Sequence, residues 1–228
     1  ELSKVSRFFV QDERSKDLLK DININQVTVS GDTRFDVIKE NAIRRYSDKV
    51  IDEFTRDSNV LIAGSTYKED ENLIRKISQE INYKVILIPH ELDNINSIKK
   101  IDNSICLSEA SNRDLNINSF KILIIDKIGI LSRLYRYGDI AYVGGGFNMG
   151  VHNVIEPIAY NIPVIFGPHY YKSIEAKELI NIGIGKEISK QKDIINAIRY
   201  YEKTDIKELI TRYLRDKIGA TETIIKNI

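Results

Sequence analysis

The sequence contains one cysteine, one methionine, no tryptophan and four prolines in 228 residues. The single cysteine excludes an intramolecular disulfide and a cysteine-based zinc site, and it favours a reducing compartment. No apolar run approaches the roughly 18 residues of a membrane-spanning helix. A signal peptide is not expected, because the first residues lack its basic-then-apolar order. Since the sequence starts at Glu1 rather than at a methionine, we expect a piece of a longer protein.

The sequence also lacks an excess of charge of one sign, since it contains 34 Lys and Arg residues and 33 Asp and Glu residues. A nucleic-acid partner is not expected, because such proteins usually carry a basic excess. The hydrophobic share of 42% and the charged share of 29% are ordinary for a globular protein. The chain therefore has enough apolar material for a core.

Short β-branched runs alternate with charged amphipathic stretches. Several runs are continuous apolar blocks, which favours strands covered on both faces, as in a parallel sheet. Strands that alternate with helices predict a doubly wound α/β sheet. The predicted strands cover residues 7–10, 26–29, 59–63, 83–88, 104–107, 121–125, 140–143 and 163–166. The predicted helices cover residues 15–21, 35–55, 69–82, 129–137, 153–160, 173–181, 191–202 and 204–228, the last with a break near Gly219.

The stretch 35–55 is too long for a simple crossover helix, so we interpret it as a connector between domains. Residues 1–34 then form the remnant of another domain, and residues 56–228 form a second domain that ends in the helix over 204–228. A lone βαβ unit cannot bury its own faces. An exposed strand edge invites pairing with another copy, so a homodimer through residues 1–34 is predicted.

Ligands of open α/β sheets bind outside the carboxyl ends of the strands, so the loops that follow the strands are the candidate site. All three histidines, His90, His152 and His169, fall in these loops. His90 beside Glu91 is either a ligand-contacting pair or part of a solvated loop. Metal-ligand spacing is not found, so no metal is predicted.

Glycines follow the strand 140–143, at Gly144, Gly145 and Gly146. Their backbone N–H groups can approach an anion, and a helix that begins near Asn153 would add a favourable dipole. The alternative is a glycine turn that only reverses the chain.

Asn153 and Glu156 have the spacing of a capping box. Alternatively, Glu156 accepts hydrogen bonds from two vicinal hydroxyls, as on a ribose. The two interpretations are compatible. After the predicted strand 59–63, Ser65 or Thr66 is the expected N-cap of the helix that contains Glu69. The backbone N–H groups at the start of that helix either bind an anion or have no role beyond beginning the helix.

Seven loop motifs, in this order, resemble the family of 3-deoxy-D-manno-octulosonic acid (Kdo) transferases of lipopolysaccharide biosynthesis. The motifs are Gly31-Asp32-Thr33-Arg34-Phe35-Asp36, Gly64-Ser65-Thr66 with Glu69-Asp70-Glu71, Pro89-His90-Glu91, Asp126-x-Ile128-Gly129, Gly144-Gly145-Gly146, His152-Asn153-x-x-Glu156-Pro157 and Phe166-Gly167-Pro168-His169. The resemblance implies a GT-B fold of two Rossmann-like domains. This chain would be the C-terminal, donor-binding half, with the last part of the N-terminal domain in residues 1–34.

The resemblance further implies a CMP-Kdo donor, a lipid A precursor as acceptor, and transfer without a metal or other cofactor. The whole enzyme would lie on the cytoplasmic face of the inner membrane of a Gram-negative bacterium, in peripheral contact with it. The general base of the family lies in the N-terminal domain, so no catalytic residue is expected in this chain. We expect the isolated chain to bind CMP or CMP-Kdo weakly and not to catalyse transfer.

The resemblance assigns most of the substrate-binding residues by position. Pro89 and His90 would line the cytosine pocket, with the loop of Ile128, Gly129 and Ile130 beside it. The CMP would be held by Asn153, Val154, Ile155 and Glu156, with Glu156 on the ribose. Ser65 and Thr66 would lie near the donor sugar or phosphate, and Arg34 would lie at the inter-domain cleft. Gly144 and Gly145 complete the predicted set. The family often has Asp-Thr-x-Gly-Glu-Leu where this chain has residues 126–131, which leaves only backbone contacts plausible at that loop. The alternatives are another GT-B transferase with a UDP-sugar donor and a non-catalytic nucleotide-binding module.

Overall fold

The computed structural model describes residues 2–93, 95–112 and 115–228, so Glu1 of the predicted remnant lies outside the described residues. A two-stranded parallel sheet joins β1 (Phe8–Val10) and β2 (Val27–Val29). A seven-stranded parallel sheet has the order β5-β6-β4-β3-β7-β8-β9. Its strands are β3 (Val60–Thr66), β4 (Lys84–Pro89), β5 (Ser104–Cys106), β6 (Ile122–Ile124), β7 (Ile140–Val143), β8 (Val164–Phe166) and β9 (Gly185–Glu187).

Helices flank the large sheet, which confirms the predicted fold class. They are α1 (Glu13–Lys20), α2 (Thr33–Ile43), α3 (Lys49–Thr55), α4 (Lys68–Ser78), α5 (Ile95–Ile98), α6 (Leu107–Asn112), α7 (Leu131–Leu134), α8 (Ile155–Ile158), α9 (Ile174–Asn181), α10 (Gln191–Tyr201), α11 (Lys207–Lys217) and α12 (Ala220–Lys226). Short 3₁₀ turns cover Leu2–Lys4, Ile117–Ser119 and Tyr135–Tyr137. The apolar strand runs form the core because helices cover them; Leu61, Ile86 and Ile165, for example, have no exposed surface.

The strand order reverses between β3 and β7. After β3 the chain first builds the side of the sheet with β4, β5 and β6, and it then returns to place β7 against β3. A crevice opens at such a reversal, at the carboxyl ends of the two strands. The fold therefore directs attention to the residues that follow β3 and β7.

The predicted connector helix over 35–55 is wrong as a single helix. The structure has two helices, α2 and α3, because the Asp48 carboxylate accepts the Val50 N–H at 3.0 Å and the Ile51 N–H at 3.3 Å and so begins a new helix. The predicted tail helix over 204–228 is also divided, into α11 and α12. Gly219 supplies that break, with a backbone φ of +113° that favours glycine.

Several short elements were not predicted. The strand β9 was missed because its polar sequence, Gly-Lys-Glu, has no apolar run and lies at the edge of the sheet. The helices α5 and α6 are too short to show a period. The predicted helices 129–137 and 153–160 are reduced to α7 with a 3₁₀ turn and to α8.

The C-terminal helix α12 packs against α2. The Asp36 carboxylate accepts the backbone N–H groups of Gly219 and Thr221, each at 2.7 Å. The Arg7 guanidinium donates to the Asn227 carbonyl at 2.6 Å. The last helix is thus tied to the N-terminal segment. Within the described residues, every helix is too short or too polar to cross a bilayer.

Candidate functional site

Backbone hydrogen bonds hold together the loops that follow β3, β4 and β7. The His90 N–H donates to the Thr66 carbonyl, and the Gly144 N–H donates to the Gly64 carbonyl, both at 2.9 Å. The end of β3 is irregular, since Ser65 has a φ of +53° and the pairing with β4 shifts there. Non-glycine residues rarely adopt such a φ. The strand ends therefore form one connected, locally strained surface.

A buried carboxylate, Asp70, links the loops of this surface through hydrogen bonds. It is 1% exposed and accepts the Tyr67 N–H at 2.9 Å, the Gly145 N–H at 3.0 Å and the Tyr142 hydroxyl. Each bond to a charged acceptor contributes roughly 1.5–3 kcal/mol, so Asp70 is a strong link between β3, α4 and β7.

The expected N-cap at Ser65 or Thr66 is wrong. The structure places the cap at Tyr67, whose N–H is satisfied by the Asp70 carboxylate three residues later. Thr66 is buried, and its hydroxyl points to the Ile88 carbonyl at 3.4 Å. Its side chain has no access to a ligand.

The glycines are required by packing. A Cβ at Gly144 would overlap the Ser65 carbonyl oxygen, and a Cβ at Gly145 would lie 2.5 Å from the Gly150 oxygen and 2.9 Å from His152 Cδ2. The predicted anion cradle made of the Gly144 and Gly145 N–H groups is wrong, because these donors are already used by the Gly64 carbonyl and by Asp70. Of the two interpretations, the close-packed turn describes these two residues.

Three aromatic rings, those of His90, His152 and Tyr67, pack against one another in the loops that follow these strands. The ring centroids of His90 and His152 are 4.3 Å apart with planes inclined by 23°, and Tyr67 lies 5.5 Å from His152 and 5.0 Å from His90. Burial, and then the neighbouring His90, lower the pKa of His152, which keeps its ring neutral at pH 7. Within the part of the chain that the structure describes, its Nε2 is buried without a hydrogen-bond partner, at a cost of about 1–3 kcal/mol.

Asn153 and Glu156 hydrogen-bond to each other at the start of α8. Asn153 Oδ1 accepts the Ile155 N–H at 3.1 Å, and its Nδ2 donates to Glu156 Oε1 at 3.0 Å. The predicted capping box is wrong, because the N-cap of α8 is Val154 and Glu156 accepts from the Asn153 side-chain amide instead of a backbone N–H. Burial raises the pKa of the half-buried Glu156, which the bond from Asn153 opposes. A ribose contact by Glu156 remains a prediction.

A cleft of 490 Å³ adjoins these residues. On one side it is lined by His152, Asn153, Val154 and Ile155, and on the other by residues of the N-terminal segment and of the loop before α9, among them Gln11, Arg34, Lys172 and Ser173. Arg34 is paired with Asp32 at 2.6 Å and with Glu175. The cleft therefore combines hydrogen-bonding groups with a cation that the chain already neutralises.

Comparison with known proteins identifies relatives of this chain. No family model matches the chain. A bifunctional glycosyltransferase/methyltransferase of Fusobacterium nucleatum is 29% identical over 99% of this chain and 37% of its own length. A Kdo transferase of Chlamydophila psittaci is 27% identical over 87% of this chain and 48% of its own length. The chain is a homologue of the Kdo transferases. It spans about half, or less, of the length of the curated relatives it matches.

A solved structure shows the same fold. The C-terminal CMP-Kdo binding domain of WaaA from Acinetobacter baumannii superposes with a TM-score of 0.61 at 17% identity, over 82% of this chain and 99% of that domain. The fold of this Kdo transferase homologue is thus that of one Rossmann-like domain of a GT-B glycosyltransferase.

The structure brings part of the predicted set together. Arg34, Asn153, Val154 and Ile155 line the cleft, although the side chains of Val154 and Ile155 are buried. Glu156 joins them through Asn153, and the exposed His90 joins through the ring stack. Pro89 and Thr66 are buried at the ends of β4 and β3, and Ser65 is half-buried beside them.

The loop 128–130 does not line the cleft. Ile130 is a core residue at 5% exposure, whereas Ile128 and Gly129 are exposed, so the backbone contacts expected at this loop stay a prediction. Sequence reasoning assigned no role to Tyr67, Asp70 or His152. Asp70 and His152 lie inside the quoted motifs and Tyr67 directly follows one of them, but nothing in the sequence shows that the three residues meet.

Proposed function

We propose that this chain is the donor-binding half of a Kdo transferase, which transfers Kdo from CMP-Kdo to a lipid A precursor. The homology to Kdo transferases and the GT-B fold support this. The observation that carries the proposal is the convergence of His90, His152, Asn153, Glu156 and Arg34 at the reversal point of the sheet.

In this proposal the nucleotide lies across the carboxyl ends of β4 and β7. The cytosine lies beside Pro89 and His90, next to the loop 128–130, which supplies backbone contacts only. The ribose hydroxyls bond to Glu156, whose outer lone pairs remain available beside the bond from Asn153. The phosphate lies beside Asn153, and the donor sugar extends toward Ser65 and the Thr66 backbone.

Glycosyl transfer needs a base to deprotonate the acceptor hydroxyl, and groups that stabilise the departing phosphate. The acceptor oxygen forms a bond to the anomeric carbon of Kdo, and CMP leaves with the electrons of the broken bond. This chain would perform the second task, whereas the base would come from the other lobe of the whole protein. Closure of the two lobes would exclude water. Binding without transfer is therefore the expected behaviour of this chain alone.

The membrane and oligomer assignments remain proposals. The whole enzyme would contact the cytoplasmic face of the inner membrane peripherally, to reach its lipid acceptor. Within the described residues, β1 and β2 pair only with each other, so their outer edges are open for the rest of the N-terminal lobe or for a second copy. Sedimentation of the chain, alone and with residues 1–34 removed, tests the predicted dimer.

Calorimetric titration with CMP tests the proposal. We expect weak binding, and a loss of about 10- to 150-fold in Glu156→Ala, because a hydrogen-bonding carboxylate contributes about 1.5–3 kcal/mol. UMP is the matched control and should bind more weakly than CMP; the reverse order would favour a UDP-sugar donor. No binding at millimolar CMP, or wild-type affinity in Glu156→Ala, would contradict the proposal. Transfer by the chain joined to the rest of its own protein distinguishes an enzyme from a binding module.

A further inference from the structure

Among the described residues, His152 Nε2 is the one buried side-chain nitrogen or oxygen without a hydrogen-bond partner. Its surroundings explain this isolation. A Cβ on Gly145 would lie 3.2 Å from Nε2, so this edge of the ring faces the glycine backbone, while His90 and Tyr67 stack against the ring. Nε2 is thus enclosed by groups that offer it no partner.

The enclosure selects one tautomer of the ring. A neutral imidazole carries one N–H and one bare nitrogen. Buried N–H groups without an acceptor are rarer than unused acceptors in native structures. The bare nitrogen therefore belongs at the enclosed Nε2, and the proton belongs at Nδ1.

His152 also lines the 490 Å³ cleft, next to Asn153 and across from Arg34. Because Nε2 is enclosed, Nδ1–H is the polar group that the ring can offer to a ligand. The positive charge of Arg34 is already engaged by Asp32 and Glu175. An uncharged, directed donor at this wall is suited to an anionic oxygen that approaches along the start of α8.

We propose that His152, held as the Nδ1–H tautomer by its stack and by Gly145, donates a hydrogen bond to the phosphate of the bound nucleotide. This rests on the proposed nucleotide function and adds a binding residue to it. The stack with His90 fixes the direction of the donor, so that no ordering of the ring is needed when the ligand arrives.

Substitutions that mimic one ring nitrogen each test the proposal. The amide nitrogen of His152→Asn occupies the place of Nδ1, whereas that of His152→Gln occupies the place of Nε2. We expect His152→Asn to bind CMP within about threefold of the wild-type chain, and both His152→Gln and His152→Ala to lose about tenfold. Cytidine, which has no phosphate, should bind all four chains equally. Urea denaturation confirms that each variant is folded.

The tautomer is measured separately, by ¹⁵N NMR of the histidine side chains in the free chain. A proton on Nε2 would overturn the proposal, as would a pattern in which His152→Gln binds CMP like the wild type and His152→Asn does not. Equal CMP binding by all four chains overturns the role of His152 and leaves the proposed function standing. A wild-type chain that binds neither CMP nor cytidine overturns the proposed function, and the phosphate contact with it.

Discussion

The seven-stranded sheet carries two clefts of similar size and different chemistry. One lies at the amino ends of its strands, called the amino edge below, and the other lies at their carboxyl ends, called the carboxyl edge. The cleft at the carboxyl edge has 490 Å³, and one at the amino edge, lined by Tyr83, Asp139, Lys203 and others, has 530 Å³. At the amino edge Asp139 is used to accept the Val60 N–H at 2.7 Å. At the carboxyl edge the Glu156 carboxylate accepts the Asn153 side-chain amide through Oε1, which leaves Oε2 for a ligand. Uncommitted polar groups, rather than volume, therefore distinguish the candidate site.

The glycines at the two edges are expected to differ most. Gly144→Ala places a Cβ against the Ser65 backbone, where the two central strands β3 and β7 end side by side. The backbone there cannot move aside, so we expect the free energy of unfolding to fall by about 3 kcal/mol or more. Gly183, before β9 at the amino edge, has open space around it and only a positive φ of +81°. Gly183→Ala should lose about 1–2 kcal/mol. Urea denaturation measures both, and equal losses would contradict the packing role of Gly144.

A second contrast concerns pH and Glu71, in the first turn of α4 at the carboxyl edge. Burial, and then the neighbouring Asp70, raise the pKa of Glu71 to about 7. The folded chain therefore holds this proton more tightly than the unfolded chain does. The stability contributed by protonated Glu71 is full below about pH 4.5 and is lost as the pH rises through 7.

Glu71→Gln, which imitates the protonated form, should match the wild type at pH 4 and exceed it at pH 8. The midpoint of urea denaturation, measured between these values, reports the difference. Glu69→Gln changes an exposed carboxylate of the same turn, whose charge raises the pKa of Glu71 less than burial and Asp70 do, so it should shift the wild-type pH profile only slightly. A difference between Glu71→Gln and the wild type that does not vary with pH would refute the assignment.

The smallest expected effect separates two exposed lysines, one on each cleft. Lys172 lines the carboxyl-edge cleft and Lys203 the amino-edge cleft. Lys172→Ala should weaken CMP binding about two- to fivefold, the range of an exposed charge pair, and should do so less at high salt. Lys203→Ala should leave CMP affinity unchanged in the same titration. An equal loss of CMP affinity in both variants would mean that binding depends only on the net charge of the chain.

The sequence predicts the parts of this molecule that depend on local patterns. Continuous apolar runs locate the strands, and a parallel sheet gathers the loops that follow them at one edge. The break before α3 was also readable, because Ser47-Asp48 is an N-cap signal inside the assumed connector.

The missed features depend on contacts between distant residues. Asp70 and Gly145 are 75 residues apart, and their hydrogen bond removes the N–H group that the glycine motif seemed to offer. The stack of His90 and His152 likewise joins two loops that meet only in the folded sheet. Local spacing cannot show which donors the chain will use for itself.

The bond between Asp36 and the start of α12 joins residues separated by 183 and 185 positions. During synthesis at about 5–20 residues per second, α2 would stay without this partner for roughly 10–40 seconds. Contacts of such long separation also form slowly in refolding, since closing the loop costs entropy before the contact forms. We therefore expect α2 to be among the last parts of the chain to become fixed in the folded protein.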